Sequence, residues 1–277
     1  MKPSTKLAFC FSLSALFLGS CGETISIDPL TVEKLTIHSS NTGTTYPVYV
    51  VLPEDYDPAN TYKTMYVLDG DDELEGYKVY KQVGSICGEE SARFSKKNLI
   101  VVAIGSVGDD ERFRDYAPVA VSDFPHAGGS ENYADFFEFE LIPRIEADYP
   151  VDVTSTGRVL AGHSLGGTFA GYMFTKRPSV FTNYLMLSPA FWWGDGAILD
   201  YESESRTANS NRETLVFVGC GELEEGIRIL AIEWHYRLKT FYLNCAATYH
   251  MEPMKAHLSS AGKNLRKGIA FYFQNEE

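Results

Sequence analysis

The stretch that decides the fold is Gly162-His163-Ser164-Leu165-Gly166-Gly167, which lies between a strand-like segment at 158–161 and a helical pattern at 165–176. It fits Gly-x-Ser-x-Gly, a motif that places a serine on a sharp turn between a strand and a helix. Its glycines leave room for that turn, which lifts the serine hydroxyl to the carboxyl edge of a sheet, beside the positive end of the following helix. The pattern therefore predicts Ser164 as a nucleophile, whereas the alternative is a chance match in a glycine-rich turn.

Strand-like and helix-like segments alternate along the rest of the chain. Helical patterns occur at 133–149, 225–240 and 256–273. Strands are predicted at 64–68, 99–104, 158–161, 184–187, 215–218 and 241–246. This alternation indicates an α/β protein with a mostly parallel, doubly wound sheet. Two β-branched segments, 32–38 and 45–52, come first and predict an antiparallel hairpin.

A serine hydroxyl needs an imidazole to accept its proton, so the downstream histidines are the next candidates. In this motif's chain order the acid and then the histidine follow the serine, which leaves His235, His250 and His257. His235 lies inside a helical pattern and is interpreted as structural or solvated. We expect His250, in a loop directly after the 241–246 strand, to be the base, with His257 at the start of the last helix as the alternative.

The acid should follow the preceding strand, where the chain continues Gly219-Cys220-Gly221-Glu222-Leu223-Glu224-Glu225. Glu224 stands three residues after Gly221, and Glu222 stands three residues after Gly219. We predict Glu224 as the residue that fixes the histidine tautomer and stabilises the imidazolium. Glutamates at the start of a helix are also favoured by the helix dipole, so a purely structural role is the alternative for each of them.

Two backbone amides are expected to bind the oxyanion. One is the amide of Leu165, directly after the serine. The other should come from the loop after the 64–68 strand, where the amide of Asp71 follows Gly70.

The N-terminus has the pattern of an export signal. Lys2 and Lys6 precede an apolar run at 7–18, which is too short for a membrane span. The run ends in Leu18-Gly19-Ser20-Cys21, which resembles a bacterial lipobox. We therefore expect a signal peptide at 1–20, lipidation of Cys21, a tether at 21–30 and one catalytic domain at 31–277. A plain secretory signal cut near the same place is the alternative; lipidation would make this a membrane-anchored envelope protein, exposed to the periplasm or the cell surface.

Charge and cysteine usage exclude some classes of protein. The net charge of -13 argues against a nucleic-acid partner, which requires clustered Lys and Arg. Outside the signal segment the cysteines are Cys87, Cys220 and Cys245, whose spacing fits no metal site. A Cys220–Cys245 disulfide and three buried thiols are both open. No cofactor or metal is expected, and a metal hydrolase using His250 and His257 would lack a spaced carboxylate partner.

Several further motifs resemble the putative-esterase family of α/β-hydrolases, which is related to esterase D and includes siderophore esterases. The similarity runs from about Thr45 to Phe273 and rests on Leu52-Pro53-Glu54-Asp55-Tyr56, Val67-Leu68-Asp69-Gly70-Asp71, Arg112-Phe113-Arg114-Asp115-Tyr116, Glu140-Leu141-Ile142-Pro143, the serine motif and Ser188-Pro189-Ala190-Phe191-Trp192-Trp193.

The resemblance implies an α/β-hydrolase fold and a serine esterase. It favours His250 as the base, allows either an acid or a Ser-His dyad, and places a loop like that of Arg112 and Arg114 near the substrate. Trp192 is a further candidate for substrate contact.

The sequence thus predicts hydrolysis of carboxylic esters through an acyl-enzyme on Ser164, with a siderophore or another acyl ester as the small-molecule substrate. One alternative is an acyltransferase, in which an alcohol replaces water. The other is a non-catalytic, ligand-binding envelope lipoprotein, which would have no need of the serine and histidine.

Overall fold

The computed structural model describes residues 30–276 and is built around a central sheet. The strands are β1 (Thr31–His38), β2 (Thr45–Leu52), β3 (Thr64–Val67), β4 (Glu73–Leu74), β5 (Tyr77–Lys78), β6 (Ile100–Ile104), β7 (Arg158–His163), β8 (Asn183–Leu187), β9 (Thr214–Gly221) and β10 (Cys245–Glu252). Eight of them form the sheet in the order β1-β2-β6-β3-β7-β8-β9-β10, and β4 pairs with β5. Six neighbouring strands of the sheet run parallel to one another: β6, β3, β7, β8, β9 and β10. The other two, β1 and β2, form an antiparallel hairpin, and β2 pairs antiparallel with β6.

Helices cover both faces of the sheet. They are α1 (Val79–Arg93), α2 (Asp109–Tyr116), α3 (Ser130–Asp135), α4 (Ile142–Asp148), α5 (Leu165–Lys176), α6 (Trp193–Asn209), α7 (Glu225–Phe241) and α8 (His257–Asn275), with a π-helical turn at Phe136–Leu141 and a 3₁₀ turn at Ser155–Gly157. One apolar core includes Phe169 of α5 and Trp234 of α7. The other, on the opposite face, includes Ile86 of α1 and Ile269 of α8. This two-faced burial explains why β3, β6 and β8 are wholly buried.

The predicted fold class is confirmed: the sheet is mostly parallel and doubly wound, and the hairpin lies at its N-terminal edge. Because these strands are parallel, the loops after β3, β7, β8, β9 and β10 lie at one edge of the sheet. In such a sheet ligands bind outside the carboxyl ends of the strands. The functional residues are therefore expected at that edge.

The last strand differs from its prediction. Residues 241–246 were expected to form it, but α7 continues to Phe241 and β10 spans Cys245–Glu252. Because β10 is an edge strand paired only with β9, its middle residues are half-buried and mixed in polarity. It lacks the continuous apolar run that marks a buried parallel strand.

Arg112 and Arg114, which the resemblance placed on a loop, lie in the helix α2. Six of its eight residues are charged, so it shows no apolar stripe. Asp109, Asp110 and Glu111 occupy its first turn, where negative charge favours a helix. The charge pattern was the available signal for this helix.

The N-terminal predictions lie outside the described residues. These are the signal peptide at 1–20, the lipidation of Cys21 and all of the tether except Leu30. Between residues 30 and 276 no helix combines the length and the apolar character that a membrane crossing requires. Cys87, Cys220 and Cys245 are buried free thiols, which is the second of the two alternatives considered for them.

Candidate active site

Ser164 lies on a strained turn between β7 and α5. Its φ of 59° and ψ of -121° fall in a region that non-glycine residues rarely adopt. The turn needs Gly162, because a Cβ there would lie 2.4 Å from the Gly166 backbone. The Ser164 amide donates to the Leu187 carbonyl at 2.9 Å, and the Ala190 amide donates to the Ser164 carbonyl at 3.1 Å. The sharp bend that the motif predicts is therefore present, held from the end of β8.

His257 lies in the same pocket as Ser164. Its Nδ1 is 2.7 Å from Oε2 of Glu224, and the Glu224 side chain is almost fully buried. Because the carboxylate can only accept, Nδ1 carries the hydrogen and Nε2 is left as a proton acceptor. The structure thus brings a serine, an imidazole and a carboxylate to one edge of the sheet.

Glu224 is the acidic residue that this arrangement uses. Burial alone would raise the pKa of its carboxyl group, but hydrogen bonds from His257, Gly221 and two serines hold that pKa below its ordinary value. The carboxylate is therefore ionised at neutral pH. Glu222, the alternative acid, instead accepts from the Met254 amide at 2.7 Å.

His250 is not where the sequence predicted it. It lies inside β10 rather than in a loop, opposite Gly219 of β9. Its Nε2 is 2.9 Å from Oε1 of Glu252, and it is not among the residues that line the pocket of Ser164. The expected loop position is wrong because β10 extends six residues past the predicted end, so the first histidine after the strand is His257.

His163, set aside in the sequence analysis as too early in the chain, also belongs to the site. Its Nε2 is 3.1 Å from the carbonyl oxygen of His257, so it donates there and Nδ1 carries no hydrogen. The two imidazole centroids are 4.5 Å apart. Burial first, and the neighbouring His257 second, lower the pKa of His163 to about 4. His163 is therefore neutral at physiological pH, and its position inside the serine motif was the signal for it.

The pocket has a volume of about 350 Å³ and mixes apolar and acidic walls. Leu74, Leu187 and Leu258 are among its apolar residues. Asp69 and Asp72 are the residues that the turn after β3 contributes. Volume and lining are those of a small-ligand site.

The two predicted oxyanion donors differ in their placement. Leu165 follows Ser164 at the first position of α5, where an amide has no acceptor within the helix. Asp71 is not among the residues that line the pocket, and its side-chain Oδ1 accepts from the Ser106 amide at 2.7 Å. In the same turn the amides of Gly70 and Asp72 donate to the carbonyls of Ile104 and Asp69, at 2.8 and 3.1 Å, so the Asp71 amide stays the predicted second donor.

The three predicted substrate-binding residues are found in different surroundings. Arg112 lines the pocket, but its Nε and Nη2 donate to the two oxygens of Asp69 at 2.8 and 2.9 Å. Arg114 lies outside the pocket lining and is bonded to Asp115 at 2.7 Å and to Thr44 at 2.9 Å. Trp192 is 53% exposed on the surface and also lies outside that lining. Only Arg112 therefore faces the site.

Metal ligands are not gathered anywhere in the described part of the chain: no group of three or more His, Cys, Asp or Glu residues is arranged to hold an ion between residues 30 and 276.

Comparison with known proteins identifies the family of this chain. The model of the family described as "Putative esterase" matches residues 39–240. The chain belongs to this family. The ferri-bacillibactin esterase BesA from Bacillus subtilis is 28% identical to this chain over 212 residues, which cover 70% of this chain and 71% of that protein.

Solved structures of esterase-like proteins have the same fold. The BES protein from Bacillus cereus is 28% identical, with a TM-score of 0.77 over 87% of this chain and 94% of that one. The siderophore hydrolase EstA from Aspergillus nidulans has a TM-score of 0.76 over 97% of this chain and 100% of its own, at 18% identity, which shows the fold alone. The predicted family, the α/β-hydrolase fold and the enzyme class, a carboxylic ester hydrolase, are thereby confirmed.

Proposed function

We propose that this esterase works through Ser164 as nucleophile, His257 as general base and Glu224 as the acid. The observation that carries the proposal is the bond of His257 Nδ1 to Glu224, at 2.7 Å, in a histidine that lines the same pocket as Ser164. With Nδ1 occupied, Nε2 is the nitrogen that can accept the serine proton. His250 has no comparable route, because it is not among the residues that line the pocket of Ser164.

The reaction follows from these roles. His257 Nε2 takes the proton from the Ser164 hydroxyl as its oxygen attacks the ester carbonyl carbon, and Glu224 stabilises the resulting imidazolium. The Leu165 amide and a second amide from the turn after β3 stabilise the oxyanion. The imidazolium then gives its proton to the departing alkoxide, leaving an acyl-enzyme. Water, deprotonated by His257, attacks the acyl carbon and releases the acid and Ser164.

The substrate class we propose is a siderophore ester. BesA is named as a ferri-bacillibactin esterase and EstA as a siderophore hydrolase, which supports this choice. A pocket of about 350 Å³ holds one ester arm, so the rest of a larger ligand would lie outside it. The exposed Leu258, which lines the pocket, offers apolar contact there.

Paired histidine variants test the mechanism. We expect Ser164→Ala and His257→Ala to lower kcat for p-nitrophenyl butyrate by roughly 10⁴-fold or more, as for other catalytic triads. His250→Ala is the matched control, with activity within about twofold of wild type, because surface changes away from a site have small effects. An inactive His250→Ala beside an active His257→Ala would refute the assignment of the base.

A substrate panel tests the ester class. Hydrolysis of a trilactone siderophore, a trihydroxamate siderophore ester and acetylated or feruloylated sugars should be compared by product analysis. We expect the siderophore esters to have the highest kcat/KM. A preference for sugar esters would contradict the substrate class and leave the mechanism intact.

We also propose that the protein is exported and anchored to the bacterial envelope through a lipid on Cys21. The support is the sequence pattern of Lys2, Lys6, the apolar run at 7–18 and the small residues before Cys21. The full chain should partition into the detergent phase of Triton X-114, and Cys21→Ala should move it to the aqueous phase. Aqueous partition of the unaltered chain would exclude the anchor.

A further inference from the structure

The two oxygens of the Glu224 carboxylate have different partners. Oε2 faces Nδ1 of His257 at 2.7 Å. Oε1 accepts from the Gly221 amide at 2.5 Å and from the hydroxyls of Ser188 and Ser260, each at 2.9 Å. One oxygen is thus reserved for the histidine, while three donors hold the other.

Ser188 connects the acid to the nucleophile turn. It is fully buried at the end of β8, with a φ of 42° that fixes its side-chain direction. Its amide donates to the Gly219 carbonyl at 2.6 Å, and its neighbour Leu187 accepts the Ser164 amide at 2.9 Å. The same short turn therefore holds the backbone of Ser164 and the side chain of Glu224.

Ser260 approaches the same oxygen from α8. It is fully buried and follows His257 by three residues, on the first turn of that helix. Its hydroxyl has one hydrogen and three nearby acceptors, which are Glu224 Oε1 at 2.9 Å, the His257 carbonyl at 3.2 Å and the Ser188 hydroxyl oxygen at 3.4 Å. The charged and closer oxygen is the stronger acceptor, so the hydrogen goes to Glu224.

We infer that Ser188 and Ser260 are positioning residues that hold the Glu224 carboxylate with one oxygen aimed at His257. This inference rests on the proposed function. A glutamate side chain has several rotatable bonds, and Oε1 without these hydroxyls would keep only the Gly221 amide. Their loss lets the carboxylate turn, which weakens its hold on the imidazole. The hydroxyls also favour the ionised form of Glu224, because donors to a carboxylate stabilise its charge.

A double-mutant cycle separates this role from a purely structural one. Ser260→Ala is the first variant, because alanine is the best helix former and Ser260 lies on α8. We expect kcat for p-nitrophenyl butyrate to fall roughly tenfold with KM unchanged, since Ser260 acts on the transition state through Glu224 and not on substrate binding. In a Glu224→Ala background the same substitution should change kcat by less than about twofold.

Ser188→Ala is a second variant. We expect the same loss of kcat in the wild-type background and the same small change in kcat in the Glu224→Ala background. The matched control is Ser205→Ala, in α6, whose hydroxyl bonds only carbonyl groups of its own helix, at Tyr201 and Glu202. We expect it to retain wild-type kcat.

Equal losses of kcat with and without Glu224, or unchanged kcat in both serine variants, would overturn the inference. Failure of the proposed function is distinguishable, because it appears as retained activity in Ser164→Ala or His257→Ala. If those variants are inactive and the serine variants are unaffected, only the positioning role falls.

Discussion

His257 Nδ1 and Glu224 Oε2 lie 2.7 Å apart, although 33 residues separate them in the chain. The contact exists because β9 and β10 are adjacent and parallel, so that the residues after their carboxyl ends meet. Glu224 lies three positions after the end of β9, just before α7, and His257 begins α8 after β10. This topological relationship, rather than any local motif, brings the proposed acid and the proposed base together.

Replacement of Glu224 by Gln tests its role as the acid. The amide keeps the shape of the side chain but removes the charge that stabilises the imidazolium and fixes its tautomer. We expect kcat to fall by roughly 10² to 10⁴-fold with little change in KM. Steady-state kinetics on p-nitrophenyl butyrate measure both quantities.

Glu222→Gln is the control for this prediction. Its carboxylate contacts the Met254 amide and not a histidine. We expect nearly wild-type kcat. A larger loss in Glu222→Gln than in Glu224→Gln would identify Glu222 as the acid instead.

The sequence predicted the nucleophile turn and the parallel sheet because both have strong local signals. The elbow needs glycine where a Cβ would meet backbone, and buried parallel strands are continuous apolar runs. Chain order alone also reduced the histidines to three candidates. These features depend on a few neighbouring residues and are visible without the fold.

The choice between His250 and His257 could not be made in the same way. It depended on where β10 ends, and an edge strand with residues such as Thr248 and Tyr249 has no distinctive pattern. The hydrogen bonds of Arg112 to Asp69 and of Arg114 to Thr44 were equally hidden, since 43 and 70 positions separate these partners in the chain. Boundaries of half-exposed elements and long-range ion pairs require the three-dimensional structure.

Two glycine substitutions test the strain at the turn that holds Ser164. Gly162→Ala places a methyl group 2.4 Å from the Gly166 backbone, which cannot move without shifting Ser164. We expect loss of most activity and a lower free energy of unfolding by about 2 kcal/mol or more. Urea denaturation and kinetics at pH 7 measure the two effects.

Gly226→Ala is the matched control, because a Cβ there meets nothing within 4 Å and the residue lies in α7. Alanine in a helix is favoured over glycine, so we expect a gain of about 0.5 to 1 kcal/mol and unchanged activity. A stable, fully active Gly162→Ala would contradict the steric argument.

Arg112 and Asp69 form a wall of the pocket through two parallel hydrogen bonds. Lysine keeps the charge but cannot make the bidentate contact, so Arg112→Lys should disturb this wall. We expect kcat/KM to fall roughly tenfold, with most of the change in KM if the wall contacts substrate. Arg114 lies outside the pocket and donates one hydrogen bond to Asp115, so Arg114→Lys should leave KM unchanged. Equal effects on KM in both variants would contradict a specific role for Arg112.

His163 makes stability depend on pH. Its folded-state pKa of about 4 lies below the ordinary value of 6.5, first because of burial and second because of His257. The unfolded chain therefore binds a proton at higher pH than the folded chain does. The contribution of His163 to stability is complete above about pH 6.5 and is lost as the pH falls toward 4.

We expect the free energy of unfolding to decrease between pH 7 and pH 4.5, with about 1 to 3 kcal/mol of the decrease due to His163. His163→Gln retains a donor for the His257 carbonyl and cannot be protonated, so its stability should fall less over the same range. Urea titrations of both proteins at pH 7, 5.5 and 4.5 give the slopes. Parallel slopes would show that His163 titrates equally in the folded and unfolded states, and would remove it as the source of the acid sensitivity.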